Sequence, residues 1–435
     1  MAKKEDELLE LISSHELEKK AREDNKLNDL DAQKFVESIM TNYFLDNDNI
    51  NFLEDKGISY FTFSIKEDCF CISGKKFGDC CFNKLEQKVD KDYVPYIKAL
   101  ASEDDYKNYV EKLNRVFNEE TVRYIDGLSC HVPGCDKNAV ENQFYHEVDL
   151  ADFKTTRVFN PFDARYKMGD VFFKECDEKT FKYFGFCEEH FNIIKELYKK
   201  PELDDNDILT LSLETIVYKL FFTMIQFKAT HREYLKWYNS VEEQGYKAYM
   251  TVHMRKVSSN LKGIFNIFKI VTDNISKNTF TKLKTWKVEL PKAKNFWCHD
   301  LVEPQITPDD FKVVNSVNNV LRTKNFIVQC MRTVGKKTEV LYVYDKLDEN
   351  TAAFIKQFQL KALNKKTSLE HFVSNVSLIL SDNILLATKW FEKLNEQEQQ
   401  IYSALNKFRF DQPDIGREYI KMQFFAGFDR GNNFF

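Results

Sequence analysis

The chain has 435 residues, a formal net charge of −5, 43% hydrophobic residues and 30% charged residues. It is long enough for two or three domains that each bury a core, and its acidic balance gives no global attraction to nucleic acid. No run approaches the ~18 consecutive apolar residues of a membrane span, and the start of the sequence lacks the apolar core of a signal peptide. We therefore expect a cytoplasmic protein without membrane contact.

Residues 1–57 are predicted to form an acidic helical arm. Apolar residues recur at helical spacing from Lys4 to Arg22 and from Leu30 to Phe44. Such an arm can bind a partner, but a solvated helical face is the simpler account of the same charges. The next segment, Ile58–Ile65, alternates apolar and polar residues and predicts a strand.

The segment 69–81 is dense in cysteine. It contains four thiols, Cys69, Cys71, Cys80 and Cys81. Four thiols within this reach suit a tetrahedral zinc ion, and Gly74 and Gly78 can take the positive φ angles that a tight metal turn demands. Disulfides or ordinary buried cysteines are the alternatives, but a reducing cytoplasm and the close spacing favour metal. We predict a zinc knuckle within residues 58–90.

This segment also resembles the SEC-C motif, the small zinc-binding tail of the preprotein translocase motor and of many otherwise unrelated bacterial proteins. The motif has the pattern C-x-C-G-S-G-K-K-x-x-x-C-C, or ends in Cys-His. The chain keeps the run Ser73–Lys76 and has Ile72 where the family usually has Gly. The resemblance implies bound zinc but does not specify what the whole protein does.

Residues 91–200 hold a second metal-like set after two predicted helices between Tyr93 and Ile125. Its members are Cys130, Cys135, Cys187 and His190. A Pro-Gly turn separates the first pair, and the i, i+3 spacing of the second pair puts both ligands on one face at a helix start. Two short pairs around an insert are the general form of a treble-clef-like Cys3His zinc site. Core cysteines with a surface histidine are the alternative. Spare candidate ligands in the region are His131, His146 and Cys176.

The second set, with Asp382-Asn383 and the segment Lys389–Leu394, resembles uncharacterised bacterial proteins that carry SEC-C motifs. The chain departs from them at Gln143, where they have His, and at Phe191, where they have Asp. The region is also similar to the His-metal endonuclease finger, in which a histidine activates water for attack on phosphate. Because Gln143 cannot accept that proton, such a copy would be inactive unless His146 substitutes as the catalytic base. A structural ligand or a surface residue is the alternative role for His146.

Residues 201–280 predict a helical middle, with a first helix that is apolar nearly all round and therefore buried. Glu214 and Arg232 are its conspicuous charges and are interpreted as a buried or interfacial ion pair. A lysine-rich stretch follows up to residue 294, and Lys282, Lys284 and Lys287 are the candidates for phosphate contact. Aromatic residues among them could stack on bases, whereas a solvated strand edge with core aromatics is the alternative. The members are Phe280, Trp286 and Phe296.

Residues 281–435 predict a C-terminal α/β region. The strands are expected at 285–290, 295–301, 325–331 and 338–344, the last two as a hairpin, and the helices at 349–363, 368–380 and 396–407. The cluster Trp297–Asp300 looks catalytic, but neighbouring strand residues point to opposite faces, so we discount it. The sequence has no phosphate-binding loop, Rossmann fingerprint or serine-hydrolase elbow.

Together these patterns predict an α+β protein, mostly helical, with small zinc knuckles and a short C-terminal β-sheet. The expected function is a zinc-binding interaction module whose partner is a protein or nucleic acid. The resemblance alone suggests phage defence or a stress response. The competing hypothesis is a metal-dependent nuclease or toxin built on the second module.

Overall fold

The computed structural model describes residues 63–82, 103–156, 173–240, 244–293, 295–304, 324–363, 369–400 and 402–403. Within them the fold is mixed α+β, as predicted. The helices are α1 (Glu103–Ile125), α2 (Glu188–Lys199), α3 (Asp205–Ser240), α4 (Gln244–Lys277), α5 (Glu349–Leu363), α6 (Leu369–Leu380) and α7 (Thr388–Phe391). The strands are β1 (Glu141–Gln143), β2 (Phe153–Thr155), β3 (Lys174–Glu175), β4 (Lys182–Phe184), β5 (Leu283–Pro291), β6 (Phe296–Cys298), β7 (Asp300–Val302), β8 (Ile327–Val334), β9 (Lys337–Asp345) and β10 (Ile384–Ala387). The predicted helices at 4–22, 30–44 and 93–101, and the tail after 411, lie outside the described residues.

Two long helices form the centre of the protein. Most positions of α3 from Leu209 to Phe227 are buried, because α4, α1 and two strands of a sheet surround it. The predicted buried helix is thereby confirmed. Within the described ranges, Asp205–Arg232 is the one helical stretch long and apolar enough to cross a membrane, and 89% of its most apolar window is buried inside the protein. That burial is what a core helix shows.

Strands β5, β9, β8 and β7 form an antiparallel sheet in that order. Strands β8 and β9 make the predicted hairpin, with Val334 opposite Lys337 and Gly335 at φ +61° in the two-residue turn. Nearly every residue of both strands is buried, so both faces of the sheet are covered here. Helix α5 begins and ends where it was predicted.

The second four-stranded sheet has the order β3-β2-β10-β6, and β1 pairs with β4 in a separate two-stranded sheet. Strands β2 and β3 come from the predicted second zinc module and β6 and β10 from the C-terminal region, so this sheet joins the two. Strand β10 was not predicted.

Two predicted strands are wrong in detail. The single strand at 295–301 is two strands in different sheets, because β6 pairs with β10 while β7 pairs with β8, and His299 lies at the crossing. The described part of the strand Ile58–Ile65 is not extended. Its backbone instead hydrogen bonds to the cysteine-rich turn, since the Gly78 N–H donates to the Ile65 carbonyl at 2.9 Å.

Candidate metal centres

The first candidate centre is the cysteine-rich turn. Its four members are Cys69, Cys71, Cys80 and Cys81, whose sulfur atoms all lie within 4.8 Å of one another. The Cys71 sulfur is 3.3 Å from that of Cys69 and 3.4 Å from that of Cys80. A tetrahedral zinc ion with Zn–S bonds near 2.3 Å separates its sulfurs by about 3.8 Å, so small shifts would seat one. All four thiols are free, so they form no disulfide.

The backbone of the turn explains how so short a segment converges. The Cys69 N–H donates to the Lys75 carbonyl at 2.8 Å, and an isolated bridge joins Asp68 to Lys76. Gly74 has φ +72°, as predicted, whereas Gly78 does not have a positive φ. Gly78 is needed for space, since a Cβ there would lie 3.0 Å from the Ile65 Cβ. Ile72 has φ +61°, a conformation unfavourable for a β-branched residue.

Protonation within this cluster is interdependent. Hydrogen bonds from Cys69 and Cys81 lower the pKa of Cys71 well below the usual thiol value, and the same contact with Cys71 raises the pKa of Cys69 to about 12. One thiolate thus suppresses ionisation of its neighbours. Four thiolates can coexist here only with a cation among them, which is what a metal ion supplies.

The first centre docks on the long helices through aromatic side chains. Phe70 is fully buried, with its ring 5.1 Å from Phe227 of α3, and Phe63 lies 6.4 Å from Phe265 of α4. Ion pairs border this contact, joining Lys269 to Asp68 at 2.6 Å and Lys262 to Glu67 at 3.0 Å. The hydrogen bond from Lys269, with that from Lys76, lowers the pKa of Asp68 to about 2.

The second candidate centre contains Cys130, Cys135, Cys187 and His190, whose ligand atoms also lie within 4.8 Å of one another. The His190 Nδ1 is 3.2 Å from the Cys187 sulfur and 3.5 Å from the Cys130 sulfur, and the Cys135 and Cys187 sulfurs are 3.9 Å apart. The four predicted residues therefore converge, and Nδ1 is the His190 atom that faces the sulfurs of Cys130 and Cys187.

The β1–β4 pair brings the two halves of this centre together. The His131 N–H donates to the Gly185 carbonyl at 2.9 Å, and the Asn142 side chain bonds both backbone groups of Phe186. Gly185 is required for packing, because a Cβ there would lie 2.4 Å from Val217 of α3. Gly134 has φ +79° in the predicted Pro-Gly turn. A turn, a short β-pair and a helix start thus surround the four residues.

Cys187 is the N-cap of α2, and His190 lies in the first turn of that helix. Burial opposes ionisation of Cys187, but the nearby backbone N–H of His190 and the neighbouring thiols of Cys130 and Cys135 lower its pKa. A thiolate at a helix N-terminus also meets the positive end of the helix dipole. An ion pair between Lys137 and Glu189 ties the knuckle to α2.

The spare candidates lie outside both sets. The His131 Nδ1 is 2.8 Å from the Gly185 carbonyl, and burial raises the pKa of Cys176 to about 12. Gln143 donates to the Phe144 carbonyl. His146 has a side chain that is only 11% exposed, and its ring lies edge-on to Phe191 and Tyr198.

The predicted Glu214–Arg232 pairing is not what the structure shows. Arg232 lies 2.7 Å from Glu119 and 3.3 Å from Glu120 of α1. Glu214 accepts a hydrogen bond from Tyr198 and faces His146. Eighteen residues of helix put the two charges about 27 Å apart along the axis, which sequence reading alone could have taken into account. His299, set aside on the sequence, also belongs to this buried polar group, since it contacts Glu147.

The three candidate phosphate-contacting lysines are exposed but do not share one face. Lys284 and Lys287 lie an odd number of positions apart on β5, so they point to opposite faces. Lys287 is 3.4 Å from both Glu289 and Glu339. Of the aromatic residues nearby, Phe296 is fully buried. The ring centroid of Trp286 lies 5.5 Å from those of Tyr342 and Phe372. Both rings pack in or against the hydrophobic core, in agreement with the alternative that these aromatic residues are core residues and do not stack on bases.

Comparisons with protein-family models, with curated proteins and with solved structures found no match to this chain.

Proposed function

We propose that this protein is a zinc-dependent interaction module in which two structural zinc ions, one in each centre, hold the binding surface in shape. The observation that carries the proposal is the convergence of four Cys or His ligand atoms in each set. Four protein ligands complete a tetrahedral zinc ion and leave no position for a substrate, which is the pattern of structural sites.

The donor atoms favour zinc over other biological cations. Seven thiol sulfurs and one imidazole nitrogen are soft or borderline ligands, which suit Zn²⁺ and do not suit Mg²⁺ or Ca²⁺. The SEC-C resemblance of the first segment agrees with this choice. The defence or stress context rests on that resemblance alone.

Protein is the partner class that we propose. A continuous basic face is the usual requirement for nucleic acid, and Lys287 is neutralised by two carboxylates. Nucleic-acid binding can be tested by reversing the charges of Lys282 and Lys284. We expect the affinity for a single-stranded oligonucleotide, and the salt dependence of that affinity, to remain unchanged. A weaker affinity with a flatter salt dependence would instead restore these lysines as a phosphate-contacting site.

Metal analysis of the purified full chain tests the proposal directly. We expect two zinc ions per molecule, one after replacing Cys80 with Ser and one after replacing Cys135 with Ser. A matched Cys176→Ser variant should keep both ions, because Cys176 belongs to neither set. Two equivalents of another metal, or zinc content unchanged by the ligand substitutions, would contradict the assignment.

A further inference from the structure

A chain of four ionisable side chains runs through the interior where the loop after β1, helix α3 and the β6–β7 crossing meet. We call it the His–Glu chain; its members in order are His299, Glu147, His146 and Glu214. The side chains of His299 and Glu214 are each 1% exposed, and those of His146 and Glu147 are 11% and 15% exposed. None of them belongs to either metal centre.

The His299 end of the His–Glu chain has a defined protonation state. The His299 Nδ1 accepts the Met331 N–H at 3.3 Å, so the ring hydrogen is on Nε2, which donates to the Glu147 Oε1 at 3.0 Å. Glu147 accepts this bond through Oε1, and its lowered pKa keeps it ionised at neutral pH. Burial opposes that charge, but the hydrogen bond from His299 lowers the pKa of Glu147 below its usual value.

The other end of the His–Glu chain has three polar atoms without a hydrogen-bond partner, and one of them, the hydroxyl of Tyr183, faces Glu214. Tyr198 donates to the Glu214 Oε2 at 2.7 Å, while the Glu214 Oε1 has no partner. The His146 Nε2 is also buried without a partner and lies 3.8 Å from that Oε1. Buried polar atoms are nearly always paired, so two that face each other require an explanation.

Counting hydrogens supplies the explanation. The His146 Nδ1 faces the Glu147 Oε2 at 3.8 Å, and an ionised carboxylate can only accept, so the ring hydrogen is on Nδ1. The Nε2 and the Glu214 Oε1 would then be two acceptors facing each other. A hydrogen donated by Tyr183 would satisfy Glu214 but would still leave the His146 Nε2 without a donor. We propose that His146 and Glu214 share one proton in the core, and that this proton closes a clasp joining the loop after β1 to helix α3.

The surroundings favour holding that proton at neutral pH. Burial and the charge of Glu147 raise the pKa of Glu214 to about 8, and burial lowers the pKa of His146, so the proton belongs mainly to the carboxyl. Lys195 and Lys199 of α2 also disfavour an imidazolium. Among the described residues, the other titratable groups that face the His–Glu chain are Tyr183 of β4, Tyr198 of α2 and Cys330 of β8.

A proton fits this gap better than a metal ion. Protein zinc sites use three or four protein ligands, and among the described residues no third carboxylate, thiol or imidazole completes a set within 4.8 Å here. A proton needs only two acceptors, and movement of about 1 Å brings them to hydrogen-bond distance.

The sign of the pH effect follows from the raised pKa of Glu214. The folded protein keeps a proton that the unfolded chain loses above the ordinary glutamate pKa of 4.5. Stability from this group is therefore fully present below that value and is lost as the pH rises to about 8. The clasp weakens on the alkaline side because two carboxylates would then be charged in the core.

The test compares the wild-type full chain with Glu214→Gln, both saturated with zinc, by urea unfolding from pH 6 to 8.5. Gln reproduces the neutral carboxyl, since its amide donates to His146 and its carbonyl accepts from Tyr198. Between about pH 6 and 7.5 the unfolding constant of the wild type should rise about tenfold more per pH unit than that of the variant. The control Glu196→Gln changes an exposed carboxylate on α2 and should keep the wild-type dependence.

Imidazole ¹⁵N spectra of the wild type give a second reading that does not depend on the variant folding. We expect the His146 Nε2 signal to report a hydrogen-bonded acceptor that titrates near pH 8. Parallel unfolding curves, or a His146 that titrates as a free imidazole near its ordinary pKa, would overturn the shared proton. Loss of one metal equivalent in Glu214→Gln would also overturn it, in favour of a third metal ion.

Discussion

The two candidate metal centres have the same ligand number but differ in how much of the chain they connect. The first gathers its ligands from residues 69–81, while in the second Cys130 and His190 are 60 residues apart. Loop closure costs entropy that grows with the logarithm of loop length, so the longer closure is more expensive by about 1.4 kcal/mol without metal. A metal ion bound at the second candidate centre would therefore contribute more to the free energy of folding than one bound at the first.

The surroundings of the two centres also differ in how closely each centre is joined to the rest of the protein. The first centre is a compact turn that contacts α3 and α4 through rings and two ion pairs. The second is built from the β1–β4 pair and the start of α2, and Gly185 beside it packs closely against Val217 of α3. Disturbing the first should detach a module, whereas disturbing the second should loosen the body of the protein.

Removing all zinc with a strong chelator should have the largest effect. Structural zinc sites contribute on the order of 10 kcal/mol of binding free energy, and that energy is available only to the folded state. Thermal unfolding followed by circular dichroism should show a large fall in Tm, with recovery when zinc is returned. An unchanged Tm after verified zinc loss would mean that neither centre supports the fold.

Replacing one ligand at a time compares the two centres. Cys187→Ser should destabilise the protein more than Cys80→Ser, by about 1.4 kcal/mol, because the second centre closes the longer loop. Urea unfolding measures both free energies, and zinc content should fall by one ion in each variant. An equal or reversed order would remove loop length as the distinction between the centres.

The docking of the first centre can be tested without touching a ligand. Phe70→Ala removes a fully buried ring between the turn and α3 and should cost about 3 kcal/mol while both zinc ions remain bound. Hydrogen exchange should increase in residues 63–82 and stay low around α2. Uniform loss of protection would show that the turn is not a separable module. Lys269→Ala, at the exposed rim, serves as the control and should cost less than 1 kcal/mol.

The smallest expected effect concerns the glycines of the two knuckles. Gly74 and Gly134 have φ angles of +72° and +79°, and neither has an atom within 4 Å of a built Cβ. Each substitution by Ala should therefore cost about 1 kcal/mol from backbone strain alone. Thermal unfolding of the two variants checks this. A clearly larger cost at Gly134 would show that strain in the second knuckle reaches the rest of the fold.

Much of the candidate sites could be predicted because their signals are local. All eight candidate ligands follow from short pairs of cysteine and histidine. The positive φ of Gly74 was predicted, that of Gly78 was wrong, and the turn at Gly134 follows from its Pro-Gly sequence. Helix α5 and the β8–β9 hairpin were predicted for the same reason, since periodicity and a two-residue turn are properties of adjacent residues.

Other features depend on partners that the sequence does not name. Residues 295–301 have strand composition, but their division between two sheets depends on β8 and β10, which lie far along the chain. Glu214 is conspicuous in an apolar helix, yet its contacts come from His146 and Tyr198 rather than from Arg232. Gly78 is required by the approach of Ile65, not by its own backbone angle.

The sequence by itself therefore determined the ligand sets, the long buried helix and the α+β class, because each depends on residue type and spacing over short distances. Only the tertiary structure decided which strands pair, how the first centre docks, and that a carboxyl and an imidazole meet in the core. Those contacts join segments more than a hundred residues apart in several cases, and burial rather than local preference selects them.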